Sequence, residues 1–306
     1  MLLHMTLEHI YKKVDSALKM GEPGGVIEPV RLEKDSTFTF RCYPGISCFN
    51  RCCHNVNIIL TPYDIVQIKN RLGLTADMFL QLYTTPEILG QTELPIARLK
   101  MLEDEGGRCP FVSPKGCQIY SDRPVCCRYY PLGIASLRQQ DKLKGEEEEF
   151  FFVVREDHCM GFKESTEWTV DSWRADQGAD LYDSMNRGWL ELLLRKSSFG
   201  KAVEMPEKAK HLFYMVTTNM ERFRQFVFQS PFLGSFAVND NTLKEILGDD
   251  VALMQFGFEY LKHVVFGAES DIIRLKKDVL DKTVKKIIKK RRKKGKKSRK
   301  SAKGGR

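Results

Sequence analysis

Nine cysteines carry most of the chemical capacity of this chain, and they are not scattered. Cys42, Cys48, Cys52 and Cys53 form one burst, Cys109, Cys117, Cys126 and Cys127 a second, and only Cys159 lies apart. Eight thus crowd into the 90 positions from 42 to 131, while the last 147 positions hold none. A buried core does not need that density; a soft metal ion or an iron–sulfur cluster does. Such sites take thiolates from two short knuckles joined by a longer connection, because a close pair of ligands already fixes half the coordination shell. Cys48 and Cys52 make one close pair, and Cys109, Cys117 and Cys127 supply the other side.

The vicinal pairs limit the assignment. In extended chain, neighbouring side chains point to opposite faces, so Cys52 and Cys53 are not expected on one mononuclear ion, nor Cys126 and Cys127. Either one member of each pair is structural, or the two serve different centres. Eight ligands would fill two four-thiolate sites, or one cluster plus one zinc. His54 and His158 each adjoin a cysteine and could ligate. Arg123, Arg128 and Tyr130 flank the last pair; an arginine near a thiolate-rich centre offsets its charge and lowers thiol pKa values. No phosphate-binding glycine loop, HExxH sequence or Ser/His/Asp set accompanies the cysteines.

The segments Phe40-x-Cys42-x5-Cys48-x3-Cys52-Cys53 and Cys109-Pro110-Phe111, with Cys117-x-Ile119-Tyr120-x-x-Arg123-Pro124-x-x-Cys127-Arg128-x-Tyr130-Pro131, resemble the YkgJ family of cysteine-cluster proteins. The resemblance covers roughly residues 38–135 and implies a zinc- or iron-chelating domain. It also implies that Cys127, rather than Cys126, stands at the family's Cys-Arg position. Cys159-Met160-Gly161-Phe162 resembles an extension of longer members, which makes Cys159 the eighth ligand candidate. The expected metal set is therefore Cys42, Cys48, Cys52, Cys53, Cys109, Cys117, Cys127 and Cys159, with Cys126 held in reserve. Arg123, Arg128 and Tyr130 support it. Between the metals the reading leans to iron–sulfur over zinc: the count exceeds one zinc site, and vicinal pairs suit a multi-iron centre. Arg128 and Tyr130 could tune a potential.

The elements that must position these residues give a mainly helical α+β protein: a cysteine-rich, metal-centred domain with short strands, plus a helical C-terminal half. Residues 1–36 read as an amphipathic helix (Thr6 to Met20) and loop, 37–165 as the cysteine domain, 166–288 as helical, and 289–306 as a disordered basic tail. Thr37 to Cys42 alternates as a half-buried strand. Thr61-Pro62-Tyr63-Asp64 is a helix start, and Gly73 ends that helix. A second helix runs from Thr75 to Tyr83. Residues 93–103 and 150–155 look like strands, with Glu146 to Glu149 at a hairpin tip. Helices are expected over 170–197, 206–229, 241–247, 250–266 and 270–288.

Hydrophobic residues at 42% and charged residues at 29% are ordinary for a globular protein. The net charge of +9 is uneven: residues 282–306 hold 15 Lys or Arg and no acid, so residues 1–281 are mildly acidic. That tail could contact nucleic acid or an anionic surface without sequence preference. No signal peptide or membrane span is read, which places the chain in the cytoplasm, where clustered cysteines serve as ligands or catalytic groups. Two classes of function remain. One is a redox-active or group-transfer enzyme using the cluster; the other is a structural-zinc module that docks a protein partner or nucleic acid. Whether the chain is an enzyme is left open.

Overall fold

The computed structural model describes residues 25–27, 31–90, 92–103, 106–138, 147–199 and 204–281. The amphipathic helix expected at 6–20 and the basic tail lie outside them. The described residues combine helices with short antiparallel strands, as an α+β reading requires. It divides into two compact units, residues 1–88 with 96–187 and residues 89–95 with 188–306.

In the first unit, β1 (Gly25–Ile27), β9 (Glu147–Glu156) and β8 (Leu132–Arg138) form an antiparallel sheet in the order β1-β9-β8. Leu132 pairs with Val153 and Arg138 with Glu147. Glu147 to Glu149 therefore belong to a strand, not to a hairpin tip, because the ladder extends to the end of β8. The short strand β2 (Thr37–Thr39) pairs with β10 (Glu167–Thr169). Between the cysteine bursts come β3 (Ile59–Leu60), α1 (Pro62–Arg71), α2 (Ala76–Tyr83), β4 (Thr84–Leu89) and β5 (Leu94–Leu99). β5 is central, flanked by β3 and β4.

The start of α1 is as the sequence requires. The Thr61 side chain accepts from Asp64 N, the Asp64 carboxylate accepts from Thr61 N, and Pro62 occupies the first turn, where its missing N–H costs nothing. Gly73 follows with φ +65, the left-handed turn that ends a helix without a Cβ penalty. β6 (Val112–Ser113) and β7 (Gly116–Cys117) make a small hairpin, and α3 (Val125–Tyr129) carries the second vicinal pair.

The span 170–197 is two helices, α4 (Val170–Gln177) and α5 (Ala179–Ser198), because Gly178 adopts φ 64 and caps α4. These helices seat α3. Trp173 Nε1 donates to Tyr129 O at 3.2 Å and Arg174 Nη1 to the Tyr129 hydroxyl at 3.0 Å. Phe40, Tyr129, Leu132, Phe151, Val153, Val170 and Trp173 form the core beneath the cysteines. Edge-to-face contacts of Phe40 with Trp173 (5.5 Å between centroids) and Phe162 (5.2 Å) fix it there.

The second unit is helical: α6 (Glu207–Thr218), α7 (Met220–Gln229), α8 (Phe232–Ser235), α9 (Asp240–Gly248) and α10 (Asp250–Phe266). The span 206–229 breaks at Asn219, whose side chain accepts from Arg222 N and caps α7. The helix expected over 270–288 is not continuous. Ile273–Leu275 is a strand, β12, antiparallel to β11 (Phe236–Val238), with the Ile273 side chain buried. Its apolar residues fit strand and helix alike, and pairing to β11 decides the matter.

Candidate metal centre

Three stretches of chain meet at the site, and backbone hydrogen bonds bring them together. The strand expected to run to Cys42 ends at Thr39, and Cys42 lies in the loop beyond it, where Arg41 N donates to Gly161 O at 3.1 Å and lays that loop beside the Cys159 turn. Gly161 is needed for this approach: a Cβ there would lie 2.6 Å from Phe40 Cε2 and 2.9 Å from Arg41 O. Met160 N then donates to Cys48 Sγ at 3.2 Å. On the other side Cys109 N donates to Cys53 O at 2.8 Å, and Asn55 N to Gly107 O at 2.9 Å. Val112 pairs with Cys117, and Val112 N donates to Cys109 O at 3.2 Å.

Cys52 and Cys53 are not in extended chain. They sit in a one-turn 3-10 helix (Arg51–Cys53), entered through Asn50 at φ 69. Cys126 and Cys127 sit on α3. The opposite-facing arrangement expected of extended chain is therefore absent, and the thiols of each vicinal pair hydrogen-bond one another. α3 is aimed from below. Asp64 Oδ1 accepts from Val125 N at 2.9 Å while Oδ2 accepts from Thr61 N at 2.9 Å, so one carboxylate caps both α1 and α3.

All nine cysteines line one cavity of about 570 Å³, with Phe40, Ile58, Leu99 and Phe111 among its apolar walls. Cys48 and Cys109 are buried, Cys42 and Cys126 exposed, and the rest lie between. Burial pushes the Cys109 thiol up to about 11, with Cys127 and Cys117 adding to it. Although Cys42 is exposed as a residue, its thiol is partly covered, and that burial with the charges of Cys52, Cys48 and Cys159 takes it to about 11. Cys52 is raised by its hydrogen bond with Cys53 and by burial, and Cys127 by its hydrogen bond with Cys126 and by burial. Thiols held so close repel one another once ionised, so a bound cation is what lets them act as thiolates.

The arginines differ in use. Arg128 is buried and spent on backbone: its Nε donates to Arg123 O (3.1 Å), its Nη1 to Gln177 O (2.8 Å) and its Nη2 to Ser121 O. Its guanidinium lies 3.9 Å from the Tyr182 ring centre. Arg123 is the one whose charge acts on Cys117 and Cys127. Tyr130 lies against Cys159 and Glu156, and burial, aided by Cys159, drives its hydroxyl well above the usual tyrosine value. Tyr130 Oη and Glu156 Oε2 are buried without a well-formed hydrogen bond among the described residues. His158 Nε2 stands 3.4 Å from Glu156 Oε2. His54 is turned elsewhere, its Nδ1 3.0 Å from Asn50 O. Sequence reasoning did not reach Glu156, and nothing in its spacing marks it. It found Asp64 as a helix cap but not its second task on α3.

The donor chemistry fits a thiophilic metal: soft sulfur from separate segments around one apolar cavity. Among the described residues, no three His, Cys, Asp or Glu side chains are arranged to hold an ion as they stand. Residues 41–166 match the family model CxxCxxCC, described as a "putative zinc- or iron-chelating domain". That segment belongs to the YkgJ-type family. The CxxCxxCC domain thus spans both cysteine bursts and Cys159, and ends short of α4. In this chain its first burst is more widely spaced than the family's name, with five and three residues between the first three cysteines. No curated protein and no solved structure matches the chain. No helix among the described residues is long and apolar enough to cross a membrane.

Proposed function

We propose that the CxxCxxCC domain holds an iron–sulfur centre on its cysteine thiolates and presents it to an open cavity, for redox or group-transfer chemistry. The observation that carries this reading is the lining of one cavity of about 570 Å³ by all nine cysteines, drawn from three separate stretches of chain. A structural zinc site is closed and uses four ligands. Here the thiols outnumber that requirement, and Cys42 and Cys126 remain exposed. The ligands would be drawn from Cys42, Cys48, Cys52, Cys53, Cys109, Cys117, Cys127 and Cys159, four thiolates to a cluster.

When bound, an iron–sulfur centre supplies electron transfer or Lewis acidity. The chain's own residues do the rest. Arg123 offsets negative charge at Cys117 and Cys127. The apolar walls keep water away and strengthen that electrostatic effect. Tyr130, Glu156 and His158 place a polar corner on the cavity wall, where a proton can be held beside Cys159.

Protein purified without oxygen and analysed for iron, zinc and acid-labile sulfide tests the reading. Iron with matching sulfide, and a broad visible absorbance that bleaches on reduction, is the expected result. Colourless protein with stoichiometric zinc and no sulfide would replace it with a structural-zinc module.

A further inference from the structure

The segment that matches the family ends at residue 166, but the wall of the cysteine cavity continues beyond it. Trp173 and Gln177 of α4 line that cavity too. Four residues apart, they share one face of the helix and meet α3, which carries Cys126 and Cys127. Trp173 Nε1 donates to Tyr129 O at 3.2 Å. One turn further on, Gln177 receives both arginines that flank the last cysteine pair.

Arg128 takes its backbone. Nη1 donates to Gln177 O at 2.8 Å, one of the last carbonyls of α4, which a helix end leaves without a partner in its own ladder. A guanidinium there also suits the negative end of the helix dipole. Gly178 turns the chain away at φ 64, and a Cβ on it would stand only 3.4 Å from Arg128 Nη1.

Arg123 takes the side chain. Its Nη2 donates to Gln177 Oε1 and its Nη1 to Tyr120 O at 2.6 Å, with the guanidinium 3.9 Å from the Tyr120 ring centre. Gln177 Nε2 donates to Asp176 Oδ2 at 2.7 Å, which leaves the amide oxygen for Arg123. Arg123 is only 7% exposed, and it lines the cavity with the cysteines. A buried N–H needs an acceptor, and a glutamine supplies one that carries no charge. A carboxylate at 177 would accept the same bond but cancel the one positive charge that Arg123 brings to the thiolates.

We propose that α4 completes the metal centre from outside the family-matched segment, with Gln177 as a positioning residue that holds Arg123 at the cavity wall as an uncancelled positive charge. This rests on the metal-binding reading above and carries the working domain from residue 166 to the end of α4 at Gln177.

The test is the rate at which a chelator strips the metal from the full-length, anaerobically purified protein. Gln177→Glu keeps an acceptor for Arg123 but cancels its charge, and Gln177→Leu removes the acceptor. Each should lose metal about tenfold faster than the wild type, the low end of what changing a group behind metal ligands costs in affinity. In an Arg123→Gln background, Gln177→Leu should add nothing, because it acts through Arg123. Wild-type release from Gln177→Glu would make Gln177 a packing contact that needs only an acceptor, and would overturn the proposal. Full addition of Gln177→Leu to Arg123→Gln would overturn it as well. A wild type that holds no metal would instead overturn the metal-binding reading, and this one with it. Circular dichroism accompanies each variant; should Gln177→Leu fail to fold, Gln177→Glu decides.

Discussion

Gly161→Ala is the perturbation that bears most directly on how the Cys159 turn reaches the loop that carries Cys42. Gly161 is buried, and its backbone is one that alanine can adopt, so any cost is steric. The new Cβ would stand 2.6 Å from Phe40 Cε2 and 2.9 Å from Arg41 O, closer than a real Cβ approaches either. Phe40 is itself pinned at 2% exposure against Trp173 and Phe162 and cannot swing aside. Relief must come from parting the two segments, which strains the Arg41–Gly161 hydrogen bond and carries Cys159 away from Cys42 and Cys48. Overpacking of this kind costs about 1–3 kcal/mol, more than the ~0.4–1 kcal/mol alanine recovers by stiffening the unfolded chain. Urea unfolding of the metal-loaded protein, with metal content measured in parallel, reads both effects. Gly234→Ala is the control: no atom lies within 4 Å of its would-be Cβ, and as a helical position it should gain up to ~1 kcal/mol. A Gly161→Ala protein as stable and as fully loaded as the wild type would refute the convergence of these segments.

Asp64 gives a pH prediction. Burial raises its carboxyl from 3.8 to about 6 in the fold, against the pull of Thr61, Val125 and Arg128. A raised carboxyl pKa means the neutral form is favoured by folding, so that stability is present below 3.8 and is lost as pH rises through about 6. Relative to Asp64→Asn, the wild type should lose about 3 kcal/mol between those limits, and a constant difference in urea midpoints across them would contradict this. Arg128→Lys should cost about 1.5–3 kcal/mol, because an ammonium cannot span the carbonyls of Arg123, Gln177 and Ser121 together. Arg123→Gln should instead slow the alkylation of the metal-free thiols, since it removes the charge that reaches Cys117 and Cys127; equal effects of the two variants on both readouts would erase the distinction.

The gathering of the cysteines around one cavity was legible in the sequence because their type and spacing single them out. The Thr61–Asp64 start was equally plain, since a capping box uses only local residues. What stayed hidden was long-range or ambiguous. β8 has no strict alternation, and its ladder with β9 only forms once the chain returns. Gly178 and Asn219 sit inside apolar patterns that read as unbroken helix, and their backbone angles, not their neighbours, end α4 and α6. Residues 273–275 became strand because β11 offers an edge. The fold turns the Arg128 guanidinium onto three carbonyls, and Arg123, whose charge reaches Cys117, also donates to Tyr120 O and Gln177 Oε1; neither set of partners could be read from spacing.

X-ray absorption at the metal edge of the anaerobically purified protein tests the central claim most directly. If thiolates from residues 42–53, 109–127 and 159 meet around an inorganic centre, the nearest scatterers will be sulfur alone, at about 2.3 Å. A nearest shell of oxygen or nitrogen, or an absent metal edge, would contradict it.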